Sequence, residues 1–290
     1  MDGLLKKTWT KFKYGNYLTK LLYINIAVYL LISFSRLFVF LFHFEDQSLY
    51  YILNYLMLPA NIHILKTMPW TPFTYMFTHE EILHIVFNML WFYWFGKIFV
   101  DYLSSKKLLY TYIIGGLFGA IFYILAFNFF PAFNDLVNIS KALGASAAVI
   151  AVVVTISFYV PEYRMNLLFI GQIKLKHIAI FTIIIDFLSI AGENSGGHIA
   201  HLGGAFYGLC YGLLLRQPKY KFPKITFPRF NLRKKKSTYQ NVRNMSDEEY
   251  NFKKAQLQKE IDRILDKIAK QGYDSLSKKE KETLFKAGNK

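Results

Sequence analysis

Six apolar runs, at residues 23–42, 82–100, 108–130, 145–160, 177–191 and 198–215, constrain this chain more than any other feature. A helix rises about 1.5 Å per residue, so roughly 17 to 25 apolar residues are needed to cross a hydrocarbon layer. Four of the runs reach that length, and the fourth and fifth are short, which leaves their ends soft. With 53% hydrophobic residues and 18% aromatics in 290, the chain is too apolar for an ordinary soluble fold. It reads as an integral, multi-pass membrane protein built from helices.

Charge sets the direction of these helices. The net charge of +16 is not gathered into one patch that a nucleic acid would need. Lys97, Lys106 and Lys107 follow the second run, Arg164, Lys174 and Lys176 lie between the fourth and fifth, and Arg216 opens a basic tail. The opposite loops hold only Lys66 and Lys141. Basic loops stay inside, which predicts both termini in the cytoplasm and therefore an even number of crossings, six.

The first run follows Lys6, Lys7, Lys11, Lys13 and Lys20, as in a signal peptide, yet its apolar part is too long and no small-residue cleavage site follows. It reads as a retained helix, with Arg36 snorkelling toward the outer interface. The single cysteine, Cys210, rules out an internal disulfide and a Cys-based zinc site, and is expected to pack inside its helix.

Four segments result. Residues 1–22 are a basic, partly amphipathic N-terminus and 23–216 the helical membrane domain. Within it, the external connection 43–81 carries Leu49, Tyr50, Tyr51, Ile52, Leu53, Leu56 and Leu58 beside Pro59, Pro69 and Trp70, and is expected to lie in the membrane interface. Residues 217–245 form a linker with Pro218, Pro223, Pro228 and the cluster Arg233 to Lys236, suited to anionic lipid heads. In 246–290, Ser246 with Glu249 and Ser277 with Glu280 make capping boxes, and Leu257, Ile261, Ile264, Leu265 and Ile268 recur at helical spacing. That is a short cytoplasmic helical hairpin.

Polar side chains inside a membrane cost about 2.5–3.5 kcal/mol when charged and central, so each needs a reason. The second run descends from outside with His84 and Asn88 on one face, four residues apart. The fourth descends with Ser146 about one turn in, and the sixth with His201 about one turn in. All four lie within roughly 5–10 Å of the same surface. Ala200, Gly204, Gly208 and Gly212 form a small-residue stripe, and Gly144, Ala145, Ala147, Ala148 and Ala151 surround Ser146, so the two helices can approach closely. A serine and a histidine so placed can reach the 2.6–3.2 Å that a nucleophile and its base require.

The ordered set Phe77-Thr78-His79, His84-x-x-x-Asn88, Phe95-Gly96, Gly144-Ala145-Ser146 and Ala200-His201-x-x-Gly204-x-x-x-Gly208 resembles the signature of rhomboid intramembrane serine proteases. The resemblance covers roughly residues 60–215. The terminal hairpin is similar, more loosely, to tails on some bacterial rhomboids. The resemblance implies an all-α fold: a six-transmembrane-helix rhomboid-like bundle with a small cytoplasmic helical tail, in a bacterial inner membrane. It implies that Ser146 is the nucleophile and His201 the base, that His84, Asn88 and the Ser146 N–H form the oxyanion hole, and that Gly144, Gly204 and Gly208 pack around the site. No cofactor or metal is expected. The implied partners are transmembrane protein substrates and membrane lipids, with no nucleic acid.

Three positions depart from the pattern: Ala147 stands where glycine is usual, Ile150 where a tyrosine often packs on the base, and Thr71 follows Trp70 where arginine is common. His198 matches no family position. Asp186 reads as bonding a neighbouring helix end or loop, with a third catalytic member as the lesser option, and His79 as holding the external loop. An alternative function is a catalytically silent rhomboid-like protein that binds transmembrane helices, whose usual sign is loss of the serine or histidine. A transporter or haem bundle is disfavoured, because no inverted repeat is visible and His198 and His201 share one helix.

Overall fold

The computed structural model describes residues 2–42, 53–167, 171–217, 261, 263–268, 272–277 and 280–284. They fall into two units, Met1–Pro223 and Lys224–Lys290. Leu49 to Ile52, the basic linker, the Ser246 capping box and Leu257 lie outside the described residues.

The first unit is mostly helical. A basic helix α1 (Asp2–Tyr14) precedes α2 (Tyr17–Leu41), whose start is capped by Asn16 accepting from the Thr19 N–H at 3.0 Å. The short elements β1 (Leu58–Pro59), α3 (Ile62–Thr67) and α4 (Thr71–Thr74) follow, then α5 (Ile82–Tyr102) and α6 (Ser105–Phe129). The strand β2 (Lys141–Ala142) leads into α7 (Ser146–Tyr159), a hairpin of β3 (Arg164–Leu167) and β4 (Gly171–Lys174), α8 (Leu175–Leu188) and α9 (Ser195–Arg216).

Four of these helices, α2, α5, α6 and α9, are long and apolar enough to cross a membrane. The fourth and fifth apolar runs, read as short, make helices α7 and α8 of 14 residues each, about 21 Å at 1.5 Å per residue. For α7 the reason is burial. Every residue from Ala147 to Ser157 is covered by protein. Only a lipid-facing backbone must stay helical across the full hydrocarbon depth, and a helix wrapped by its neighbours is released from that demand.

Close packing of α7 on α9 follows from the glycine stripe. A Cβ at Gly204 would lie 2.1 Å from the Ala147 carbonyl oxygen, and one at Gly208 or Gly212 would lie 2.7 Å from that of Ala151 or Thr155. The extra methyl of Ala147 is seated against α6, where a Cβ on Gly119 would come within 2.6 Å of it. Its cost is thus met by a glycine on the facing helix.

Polar ties fix the remaining helices. Asn25, buried in α2, donates to the Leu21 carbonyl at 2.8 Å and to the Tyr112 hydroxyl at 3.1 Å, and Tyr112 donates to the Met76 carbonyl at 2.9 Å. Arg36 meets Glu80 at 2.6 Å, so it is paired as well as placed near a helix end. The chain is not wholly α. Leu58–Pro59 pairs antiparallel with Lys141–Ala142, and Lys141 also donates to Asn54. Trp70 anchors its loop by donating to the Tyr55 carbonyl at 2.7 Å, while Thr71 is buried and caps the Met68 carbonyl at 2.8 Å. In the basic connection, Lys174 and Lys176 hold the exposed Glu162 carboxyl down to about 2. Cys210 corrects the expectation of a packed thiol, since it is exposed on the outward side of α9.

In the second unit the Ser277 box forms as expected. The Ser277 N–H donates to Glu280 at 2.7 Å and the Glu280 N–H to the Ser277 hydroxyl at 3.3 Å. Lys267 pairs with Glu280 at 3.1 Å, and Ile264 and Leu276 are buried. Leu265, expected on the apolar face, is half exposed.

Candidate active site

The connecting loops converge on the turn before α7. The Ala60 N–H donates to the Ser140 carbonyl at 3.1 Å, and the Gly144 N–H to the Tyr75 carbonyl at 2.9 Å. The Ala145 N–H donates to His79 Nε2 at 3.2 Å. Gly144 has φ +114°, a conformation open to glycine, and a Cβ there would lie 2.7 Å from His84 Cε1 and 3.8 Å from Ser146 Oγ. The imidazole of His84 thus packs against the turn that carries the serine.

Ser146 is the first residue of α7, rather than one turn inside it. At a helix start the N–H groups have no carbonyl one turn earlier to receive them. The Ser146 N–H is therefore available to a ligand, which a position inside the helix would have prevented. The cause is tertiary: Gly144, whose N–H is tied to the Tyr75 carbonyl, holds φ +114°, so the chain turns just before Ala145 and the helix begins at Ser146.

Ser146, His84, Asn88 and His201 line one cavity of about 1030 Å³. Asn88 spends one amide hydrogen on the His84 carbonyl at 2.9 Å, and the second remains to donate. His201 lies six residues into α9 and three before Gly204, beside the point where that helix touches α7. No hydrogen bond joins Ser146 to His201 among the described residues. The Nδ1 of His201 is instead 2.8 Å from Asp186 Oδ1. Its Nε2 is the nitrogen left for chemistry.

Asp186 and His198 were not assigned to the site by sequence reasoning. His198 Nδ1 also lies 2.8 Å from Asp186 Oδ1. The available signal was the cost of an acidic group in an apolar helix, which demands a donor. Asp186, His198 and His201 bring an oxygen and two nitrogens within 4.8 Å of one another. Zinc ligands stand 2.0–2.2 Å from the ion, and so about 3.4 Å apart around a tetrahedron. Both 2.8 Å separations are those of hydrogen bonds.

The role expected of His79, holding the loop, has a geometric basis in its bond to Ala145. Burial, aided by the neighbouring His84, pushes the His79 imidazole down to about 4. It is thus neutral near pH 7 and able to accept. A free imidazole titrates near 6.5, so the unfolded chain binds the proton first as pH falls. Stabilisation is complete above about pH 6.5 and is lost progressively down to about 4, by up to about 3 kcal/mol. Thermal midpoints of the detergent-solubilised protein should therefore fall from pH 7.5 to 4.5, and fall less in His79→Gln. Equal slopes would remove His79 as the cause.

A helical membrane bundle in which a helix-heading serine shares a cavity with histidines defines the class. Residues 66–218 match the Rhomboid domain family, and the chain belongs to that family. Residues 246–287 match a family of unknown function (DUF6576). The chain is similar to RHOMBOID-like protein 12, mitochondrial, of Arabidopsis thaliana, at 31% identity over 52% of this chain and 48% of that protein. It is also similar to Presenilin-associated rhomboid-like protein A, mitochondrial, of Danio rerio, at 27% over 47% and 34%. Rhomboid protein 1, mitochondrial, of Saccharomyces cerevisiae is 26% identical over 47% of this chain and 39% of that protein. The matched part spans less than half the length of each relative.

These relatives overturn the expectation of a bacterial inner membrane with both termini in the cytoplasm, since all three are named as mitochondrial. The physical reason is that loop charge orients helices across a membrane and carries nothing about which membrane it is.

Proposed function

We propose that this chain is an intramembrane serine endopeptidase with six crossings, α7 and α8 supplying the two short ones. The observation that carries the reading is Ser146 heading α7 in one cavity with His201, whose Nε2 is left free. In this mechanism Ser146 Oγ gives its proton to His201 Nε2 as it bonds to the scissile carbonyl carbon, and the carbonyl π pair moves onto oxygen. The oxyanion is received by the Ser146 N–H, His84 and Asn88. The C–N bond then breaks, and the proton on Nε2 passes to the leaving nitrogen. Water repeats the sequence on the acyl-enzyme, giving its proton to His201 and releasing the carboxylic acid and Ser146.

A missing Ser–His bond in the free protein is compatible with this, because catalytic hydrogen bonds often tighten only with substrate bound. Phe87 and Trp91 on α5 and Phe181 and Ile185 on α8 flank the cavity with apolar groups. They suit a transmembrane segment entering sideways, near the membrane face opposite the basic loops. The test is labelling of the full chain by a serine-directed fluorophosphonate, mapped to the peptide holding Ser146, together with cleavage of a model transmembrane substrate. Binding without cleavage or labelling would support the silent alternative instead. Asn88→Ala is expected to lower turnover by about 10²–10³ with the thermal midpoint retained. Turnover at the wild-type level would take Asn88 out of the oxyanion role.

A further inference from the structure

We propose that Asp186 is a positioning residue for the base, holding His201 as the tautomer whose lone pair faces Ser146. The inference rests on the proteolytic reading above and adds a residue to it. Asp186 is 5% exposed near the end of a helix whose stretch Ile178–Leu188 is otherwise apolar but for Thr182, and one carboxylate oxygen stands 2.8 Å from Nδ1 of both His198 and His201. An ionised carboxylate only accepts hydrogen bonds. Each Nδ1 must therefore carry the hydrogen, which leaves each Nε2 as an acceptor.

That choice matters for only one of the two rings. His201 needs a bare Nε2 to take the proton of Ser146, and a ring free to exchange tautomers would spend part of its time with the wrong nitrogen protonated. The bond to Asp186 removes that freedom and also fixes the ring plane. Once Nε2 has taken the proton, the buried carboxylate beside Nδ1 faces the positive charge. His198 lies three residues earlier on α9, on the same face. Its bond to the same oxygen holds the carboxylate from a second point, so that Asp186 cannot rotate away from the base.

The experiment uses the full chain in detergent and compares wild type with Asp186→Asn, His198→Gln and Ser146→Ala. Two measurements are made: kcat and KM on a model transmembrane substrate, and the low-field proton resonances of imidazole Nδ1–H in strong hydrogen bonds. Asp186→Asn is expected to lower kcat by about 10² or more with KM within about twofold, and to lose both low-field resonances. His198→Gln should lose one resonance and less than about tenfold in kcat, because the bond to His201 stays. Ser146→Ala should keep both resonances while losing turnover.

A wild-type kcat in Asp186→Asn, or resonances that survive it, would overturn the proposal. If Asp186→Asn does not fold, His198→Gln decides, and loss of both resonances there overturns it. Resonances that behave as expected in a wild-type protein without turnover would sink the proteolytic reading while supporting the hold of Asp186 on His201.

Discussion

Ser146→Ala is expected to abolish fluorophosphonate labelling and to lower substrate turnover by at least about 10⁴, with an unchanged thermal midpoint. The two halves of that expectation have separate causes. Stability is spared because Ser146 lies at the first position of a helix already rich in alanine, and no hydrogen bond of its side chain ties it to another element among the described residues. Such substitutions fall within about 0.5 kcal/mol. Activity is lost because the step that forms the new bond needs an oxygen at that place. His201→Ala should act alike, since a nucleophile and its base operate as a unit and removing either costs nearly as much as removing both. Labelling that persists in Ser146→Ala would place the nucleophile elsewhere and remove the proposed dyad.

The second large effect is structural. Gly204→Ala puts a methyl 2.1 Å from the Ala147 carbonyl oxygen, which belongs to backbone and cannot rotate away. Overpacking of a well-filled site costs typically 1–3 kcal/mol, and a collision with backbone belongs at the top of that range, about 3 kcal/mol. The helices α7 and α9 would have to separate, and the separation falls between the residues following Ser146 and His201. Both the thermal midpoint and turnover should therefore drop. Phe206→Ala on the same helix is the control: that ring is half exposed, and its removal should leave turnover largely unchanged. A Gly204→Ala protein with wild-type stability would show that the two helices do not pack as closely as described.

Much of this architecture was legible because its signals are local. His84 and Asn88 declare a shared face by a spacing of four, and the stripe from Ala200 to Gly212 declares a close approach by repeating every four residues. The tie of Asn25 to Tyr112 was not legible, because an amide in an apolar run does not name its partner 87 positions away. The start of α7 was hidden for a related reason. Its apolar run includes Ala145, and the turn at Gly144, tied to the Tyr75 carbonyl, starts the helix at Ser146.

The amino-acid sequence by itself determined the membrane setting, the helices that approach closely and the four polar groups that line one cavity. Periodicity, composition and charge act over a few residues, so they can be read without knowing what packs against what. Only the tertiary structure decided that Ser146 heads its helix, that Gly144 makes room for His84, and that Asp186 reaches both His198 and His201. Those features depend on contacts between separate helices and loops, where a hydrogen bond or a collision is set by distances of tenths of an ångström.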